Sequence, residues 1–600
     1  MKKIIAGFLS VVMMLSLVLS GCGKNETASE TTTGTSTAAG SEAAQESKGS
    51  FIADRTIKIK HYQVSVTLPE DQVNNKVFKK IKELTGVQVQ IDVMKGQDII
   101  QDISIDLASG ELPDIMTGYC EGTNNSTNAN IVNLLAKSAK DDLFYDMKPV
   151  LANTANYKKF LDEKYLTKDA KENIVMRSDF NGAIYLLQME IPRPDVPSAV
   201  WVGGAGLYIR NDVAAALGVD PSTIKTNEDL YQLAKKIKAG SFKDGNGNPV
   251  TAPIGPTIWG GSKDPAYAAP EFDFANSTGF DYDADGNVKS VMLTDFPYKA
   301  VQLERELIAE GLMAKETFSI QGQQATEAFS NAKYPIMYMH PFSQSWDSGS
   351  DALRSKNKDK MYIPIGPMKN NKGSTQKVAV RRGNTFVAIS KSAEKPEEIV
   401  KFLDWCATLE GNRLINNGIE NEDYTLQDRT SKEYEKYTKA DPSDDGKDPI
   451  PTADYTAKAA TDANYKANQG ISVAPLTYLS NVDTYKDLAA SFGLGAPDQF
   501  PYDYGRNVLK LAAPDIKVID GLPASGVLEN FDGIKQLKPV LDIYGDTIVK
   551  AIYAKSDEEA VKILDAYKKQ LIEAGVEDAA KYLQELDSKN PGSIIFYLTN

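Results

Sequence analysis

The sequence predicts an α/β protein, and three observations lead to this fold class. Near the start, a strand pattern, a helix pattern and a second strand pattern follow one another within about 40 residues. Hydrophobic residues make up 42% and charged residues 25% of the chain, which is typical of a globular protein. With 600 residues, the chain is long enough for several domains or two large lobes, at roughly 150 residues per domain.

The first elements form a strand–helix–strand unit. Residues 56–61 alternate apolar and polar side chains, as a half-buried strand does. Apolar residues at helical spacing follow in 77–84, and Gly86 supplies a C-terminal stop. Residues 87–93 alternate again, so we expect a parallel strand pair with a right-handed crossover. A second helix is predicted over 99–109.

Three longer helices are predicted farther along the chain. The first spans 226–239 and begins with the capping pair Thr226 and Asp229. The second spans 394–409, with a proline in its first turn. The third begins at Ser556 and carries an apolar stripe at helical spacing. We therefore expect a helix-rich C-terminal extension.

Composition and motifs exclude several classes of function. The net charge of −14 argues against a nucleic-acid partner, because phosphate binding needs a cationic face. His61 and His340 are the only histidines, too few for a poly-His metal centre. Three cysteines cannot form a disulfide scaffold. The GxSxG, GxxxxGK[ST], GxGxxG and HExxH motifs are absent, so we expect no catalytic residue and no cofactor.

The N-terminus predicts secretion and a lipid anchor. Residues 1–21 combine Lys2 and Lys3 with an apolar run and small residues, which is the pattern of a signal peptide. The four residues Leu19–Cys22 resemble the bacterial lipobox, which implies lipidation of Cys22. Residues 22–50 are rich in Ser, Thr, Ala and Gly and are predicted to be a flexible tether. A plain secretory signal and a membrane helix are the alternatives.

A run of five sequence stretches suggests a family. The stretches are the lipobox at Cys22, Gly110–Ile115, Gly182–Leu187 followed by Leu207–Asp212, Thr226–Leu230, and Ala388–Lys391 followed by Lys395–Glu398. Their order and spacing, to about Gly418, resemble extracellular solute-binding protein family 1. The branch in question comprises the long, carbohydrate-type lipoproteins that Gram-positive bacteria use with ABC importers.

The resemblance implies a two-lobe periplasmic-binding-protein-like fold with a ligand cleft and hinge crossovers. The crossovers are expected near Gln188–Gly206 and near Tyr334–Pro341. Hinge closure around a ligand is a known switching mode of such proteins. The implied organisation is a first lobe from 51–190 and 341–410, a second lobe from 191–340, and 411–600 mainly as second lobe and C-terminal helices.

The resemblance also implies a function. A lipid-anchored monomer on the extracellular face of the cell membrane would capture an oligosaccharide and deliver it to the permease subunits of an ABC importer. It would have no enzymatic activity and no nucleic-acid partner. A surface-anchored glycoside hydrolase and a binding protein for a peptide or another small solute remain open alternatives. A cell-surface adhesin is disfavoured because the sequence has no β-rich repeats.

Aromatic and polar residues between the predicted elements are candidates for sugar contacts. A sugar ring needs flat aromatic platforms and polar side chains around its rim. The three tryptophans among them fit cleft lining and lobe packing equally well, whereas Trp405 lies in a helical apolar pattern and is predicted to be core. The predicted ligand-binding residues are Trp201, Trp259, Trp346, Tyr119, Glu121, Asn124, Asp264, Gln344 and Arg382.

One segment looks like the start of a calcium loop. Asp281, Asp283 and Asp285 alternate and are followed by Gly286. The twelfth position of such a loop is Met292 instead of a bidentate Glu, so the strongest ligand is missing. A hairpin turn explains the spacing more simply, and we predict no metal site there.

Overall fold

The structure is a computed structural model, and it describes most of the chain from Ser50 onward. The described residues are 50–63, 66–96, 98–120, 123, 126–189, 206–260, 279–283, 285–320, 322–339, 343–344, 349–366, 368–369, 377–380, 385–428, 445–462, 464–480 and 516–596. By its internal contacts, Ser50–Asn600 forms one unit. The predicted signal peptide, the lipidation at Cys22 and nearly all of the predicted tether lie outside the described residues.

The described strands are numbered in chain order. They are β1 Arg55–Tyr62, β2 Val87–Val93, β3 Ile115–Tyr119, β4 Leu186–Met189, β5 Gly206–Arg210, β6 Ile254–Thr257, β7 Phe280–Tyr282, β8 Val288–Ser290, β9 Ile336–Met339, β10 Tyr362–Pro364, β11 Lys377–Val380, β12 Thr385–Ile389, β13 Tyr424–Asp428, β14 Lys447–Pro451, β15 Ile516–Ile519, β16 Leu522–Pro523 and β17 Ile594–Ile595.

The described α-helices are numbered in the same way. They are α1 Lys76–Thr85, α2 Ile99–Ser109, α3 Ser126–Lys140, α4 Lys148–Leu151, α5 Asn211–Leu217, α6 Asn227–Ala239, α7 Phe296–Ala309, α8 Gly322–Ser330, α9 Ser350–Lys356, α10 Pro396–Cys406, α11 Leu409–Asn417, α12 Ala453–Thr461, α13 Tyr465–Asn468, α14 Ala474–Ser480, α15 Ala524–Leu528, α16 Ile534–Asp542, α17 Tyr544–Ile552, α18 Asp557–Glu573 and α19 Val576–Lys589.

The first sheet contains the predicted strand–helix–strand unit. Its strand order is β2-β1-β3-β12-β4, with β1 parallel to β2 and β3, and β12 antiparallel to β3 and β4. The Asn75 side chain accepts a hydrogen bond from the amide of Phe78 at the start of α1. Gly86 ends α1 with a φ of 79°, which a glycine adopts easily. The prediction for this region is confirmed.

The second sheet has the order β10-β5-β9-β6. β5 is antiparallel to β9 and β10, and β6 is parallel to β9. The predicted capping box forms at the start of α6, where Thr226 accepts a hydrogen bond from the amide of Asp229. Leu230, Leu233 and Ile237 of α6 are buried in the core of this sheet. Each large sheet therefore has its own hydrophobic core.

The strand pairing locates the two passages between the sheets. β4 lies in the first sheet and β5 in the second, so the first passage falls between Met189 and Gly206, as predicted. β9 and β10 both lie in the second sheet, and β12 lies in the first. The second passage is thus between Pro364 and Thr385, and the expected position near Tyr334–Pro341 is corrected. The reason is that β10 pairs with β5, far away in the sequence.

The segment after residue 410 contributes to the core of the first sheet, to that of the second sheet and to a further core near β7 and β8. Leu414 of α11 and Leu476 and Leu479 of α14 are buried in the core of the first sheet. Ile548 of α17 and Leu564 of α18 are buried in the core of the second sheet. The expectation that the whole segment belongs mainly to the second lobe is therefore corrected for its first part. In the described chain, no helix combines the length and apolar character needed to cross a membrane.

Candidate ligand-binding site

The structure describes three of the nine predicted ligand-binding residues: Tyr119, Trp259 and Gln344. The other six lie outside the described residues, and their contacts stay predictions. They are Trp201, Trp346, Glu121, Asn124, Asp264 and Arg382.

Tyr119 belongs to an aromatic cluster at the carboxyl ends of β1 and β3. It is the last residue of β3 and is half-buried. Its ring centroid lies 6.5 Å from that of Tyr478 in α14. The Tyr478 ring in turn stacks on His61 of β1, with centroids 5.5 Å apart and an interplanar angle of 26°. Ligands of open α/β sheets bind at this end of the strands.

Sequence reasoning did not select Tyr478 or His61 as site residues. Tyr478 follows Pro475 at the start of a short helix, and nothing in its neighbourhood indicates that α14 packs on the first sheet. His61 is the seventh residue of an ordinary alternating strand. Only the pairing of distant segments brings the two rings together.

The imidazole of His61 is neutral at physiological pH. The side chain is fully buried, and burial lowers its pKa to about 4. Its Nε2 lies 2.9 Å from Oε1 of Gln63, and this hydrogen bond only partly opposes the effect of burial. The cluster therefore presents aromatic rings without a positive charge.

Trp259 lies at the carboxyl end of β6 in the second sheet. Its side chain is 42% exposed, which is unusual for so large an apolar group. The backbone amide of Trp259 donates to Oγ1 of Thr257 at 3.2 Å, and Gly260 follows with a φ of 67°. This tight turn places the indole at the carboxyl end of β6. Trp259 is therefore a candidate platform in the second lobe, as the tyrosine cluster is in the first.

Gln344 is buried against β10. Its Nε2 donates to the carbonyl oxygen of Tyr362 at 3.0 Å, and its Oε1 accepts from the amide of Tyr362 at 2.7 Å. Both polar ends of the side chain thus bind backbone and fasten the segment after β9 to the sheet. A direct ligand contact by Gln344 stays a prediction.

Thr123, which stands in sequence between two of the predicted rim residues, is held from two sides. Its amide and hydroxyl donate to the carboxylate of Asp169 at 2.7 and 2.5 Å, and Asn173 donates to the same carboxylate at 2.6 Å. Burial raises the pKa of Asp169, while these hydrogen bonds lower it. Ser525 of α15 donates to the Thr123 carbonyl at 2.5 Å. The C-terminal segment therefore helps to fix this part of the first lobe.

The aspartates of the candidate calcium segment build a hairpin. β7 and β8 pair antiparallel, as the alternative explanation predicted. Asp283 accepts hydrogen bonds from the amides of Asp285 and Asn287, and its other oxygen lies 2.5 Å from Nζ of Lys289. The Lys289 ammonium and these hydrogen bonds hold the pKa of Asp283 well below its usual value. Within the described residues, no group of three or more His, Cys, Asp or Glu side chains is placed to hold a metal ion.

The buried thiols and Trp405 serve the core of the first lobe. Burial raises the pKa of the Cys406 thiol, which disfavours the reactive thiolate. Trp405 is 7% exposed, and its Nε1 donates to Glu410 at 3.0 Å, so the prediction of a core tryptophan is confirmed.

Several solved structures share this fold at low sequence identity. The alginate-binding protein AlgQ2, without calcium ion, has 16% identity and a TM-score of 0.58, with 89% of this chain and 99% of that chain covered. The S. pneumoniae ABC-transporter substrate binding protein FusA, in complex with kestose, has 18% identity and a TM-score of 0.56, with 89% and 100% covered. An HMO-binding solute-binding protein from Bifidobacterium longum infantis has 17% identity and a TM-score of 0.54, with 89% and 98% covered.

These likenesses establish the two-lobe fold. No match to the chain was found among curated proteins. The family described as "Bacterial extracellular solute-binding protein" matches residues 69–413, which is more than half of the chain. The chain therefore belongs to the bacterial extracellular solute-binding protein family.

Proposed function

We propose that the protein captures an oligosaccharide between its two lobes and delivers it to the permease subunits of an ABC importer. Membership of the solute-binding family supports the binding role. The solved structures with the same fold are named for alginate, kestose and HMO, which supports a carbohydrate as the solute. A peptide or another small solute is the nearest alternative.

The observation that carries the proposal is the placement of aromatic side chains at strand ends in both lobes. Trp259 is 42% exposed beside the second sheet, and Tyr119 with Tyr478 lies at the carboxyl ends of the strands of the first sheet. Sugar C–H faces stack on such rings, whose faces carry partial negative charge. A partly exposed indole on a tight turn is suited to such stacking.

Calorimetry of tryptophan variants tests the platforms. We expect Trp259→Ala, Trp201→Ala and Trp346→Ala to weaken oligosaccharide binding, with a loss of about tenfold or more for Trp259→Ala because a stacking surface is removed. Trp405→Phe is the matched control, because Trp405 is a core residue. It should lower the melting temperature and leave the affinity unchanged. Unchanged affinity in all three alanine variants would refute the platforms.

We infer that binding leaves the solute intact. A glycoside hydrolase needs two carboxylates that flank one bond, about 5 Å apart for retention or about 6.5–9.5 Å apart for inversion. Incubation of the protein with the bound oligosaccharide, followed by chromatography of the products, distinguishes the two functions. We expect the oligosaccharide to be recovered unchanged, and turnover would establish the hydrolase instead.

We also infer that the protein is a monomer anchored outside the cell by lipid on Cys22. The lipobox-like end of the signal sequence supports this, because lipid chains anchor by apolar burial, roughly 0.8 kcal/mol per CH₂. In the native host, we expect Cys22→Ala to release the protein into the medium and to abolish metabolic labelling with fatty acid. Retention of label in the variant contradicts the anchor.

A further inference from the structure

Among the residues of the first sheet with no exposed surface, three carry a side-chain polar atom that has no hydrogen-bond partner within the described residues. They are Nδ1 of His61, Oγ1 of Thr117 and Oγ1 of Thr385, and all three residues have an exposed fraction of 0%. Folded proteins leave few such atoms unsatisfied, so each of the three needs a hydrogen-bond partner from outside the described protein atoms.

The strand register brings the three side chains onto one face of the sheet. His61 of β1 is the direct neighbour of Thr117 in β3. Thr385 of β12 is the direct neighbour of Tyr119, which is two residues after Thr117. Direct neighbours share a face, and so do residues two apart in a strand. We call His61, Thr117 and Thr385 the polar layer.

The polar layer borders the candidate ligand site. Tyr478 stacks on His61 at 5.5 Å and also contacts Tyr119, so both half-buried rings stand at its carboxyl-end side. Met189, the direct neighbour of Thr385, is the last residue of β4 and precedes the first passage between the sheets. The layer is therefore next to the aromatic cluster and to the end of β4.

The chemistry of the layer selects an uncharged hydroxyl group. Nε2 of His61 donates to Oε1 of Gln63, so Nδ1 of the neutral ring carries a lone pair and accepts. Each threonine hydroxyl can donate or accept. A sugar hydroxyl can donate to Nδ1 and accept a hydrogen bond from a threonine hydroxyl. A carboxylate would face the Nδ1 lone pair in a buried site, which is unfavourable.

We propose that the polar layer is a ligand subsite that takes a hydroxyl or hydroxymethyl group of a neutral sugar residue, with Tyr478 at its entrance. The proposal rests on the proposed function, because it assigns one end of the captured oligosaccharide to the first lobe.

Imidazole nitrogen NMR tests the subsite directly. The chain has only two histidines, so protein labelled with ¹⁵N at histidine gives a simple spectrum, and His61→Gln assigns the resonances of His61. On addition of the neutral oligosaccharide that binds by calorimetry, we expect the Nδ1 resonance of His61 to move as it accepts a hydrogen bond. Binding heat without a shift of this resonance overturns the subsite and leaves the proposed function intact.

Valine variants give an independent test. Thr117→Val and Thr385→Val remove hydroxyls that have no described partner, so we expect each to weaken sugar binding about tenfold without lowering the melting temperature. Thr85→Val is the matched control, because the buried Thr85 hydroxyl donates to the carbonyl of Ile81 at 2.7 Å. It should lower the melting temperature and leave the affinity unchanged. Unchanged affinity in both test variants overturns the subsite.

If no oligosaccharide binds, the proposed function fails, and a glycerol titration then tests the subsite by itself. Titration of the ¹⁵N-labelled protein with glycerol at millimolar concentration supplies free hydroxyl groups. A saturable shift of the His61 Nδ1 resonance that Thr117→Val weakens supports the subsite. Absence of a shift overturns it.

Discussion

At the scale of single residues, buried polar groups explain how the first lobe holds its site. Asp169 is buried and receives three hydrogen bonds, two from Thr123 and one from Asn173. His61 is equally buried, but only its Nε2 has a described partner. The first group therefore stabilises the fold, and the second is available to a ligand.

Replacement of Asp169 tests the first of these roles. Asp169→Asn places an amide donor where the carboxylate accepts hydrogen bonds, so we expect a loss of about 2–4 kcal/mol in the free energy of unfolding. Urea denaturation measures the change. Asp142→Asn is the control, because Asp142 forms only an exposed ion pair with Lys391, and we expect a change within about 0.5 kcal/mol. Equal losses of unfolding free energy in Asp169→Asn and Asp142→Asn would contradict a stabilising role for Asp169.

The pH dependence of stability tests the burial of His61. The pKa of His61 is about 4 in the folded protein, against 6.5 for an ordinary histidine, so the unfolded state binds more protons between these two values. Stability therefore rises with pH across this window and decreases as the pH falls through it. We expect the native protein to lose about 2 kcal/mol more than His61→Gln between pH 7 and pH 5. Parallel pH profiles of the two proteins contradict a neutral, buried His61.

At the scale of elements, local sequence signals predict boundaries where a cap and a stop are both present. The helix predicted over 99–109 has those bounds in the structure, because Asp98 caps its start and Gly110 ends it with a φ of 72°. The helix predicted over 394–409 is present but shorter, Pro396–Cys406, and a second helix follows from Leu409. The side chain of Thr408 caps α11, a break that the apolar spacing conceals.

Two glycines that end helices provide a matched pair for testing packing between elements. Both Gly86 and Gly110 have positive φ, so alanine at Gly110 should cost about 1 kcal/mol through the backbone alone. A Cβ at Gly86 would also lie 2.5 Å from the carbonyl oxygen of Ala53, whereas one at Gly110 meets nothing within 4 Å. We expect Gly86→Ala to lower the melting temperature clearly more than Gly110→Ala. Equal melting temperatures contradict this explanation.

At the scale of the whole molecule, the sequence predicts the α/β class and the first passage between the sheets, but misplaces the second. The second depends on the pairing of Tyr362 with Arg210, which has no local sequence signal. The candidate site shows the same division. Trp259 could be selected from the sequence because a glycine-rich turn follows it. Tyr478 could not, because α14 packs on the first lobe only through contacts between residues far apart in the sequence. Patterns predict elements, and non-local contacts decide which lobe each element joins.

A thermal-shift panel of neutral oligosaccharides, acidic oligosaccharides and peptides tests the central claim most directly. A ligand at 100 times its Kd stabilises the native state by about 2.7 kcal/mol. For a folded body of this size, that corresponds to a rise of about 2 °C in melting temperature. We predict such a rise with at least one neutral oligosaccharide. A rise with peptides and with none of the carbohydrates would contradict the account.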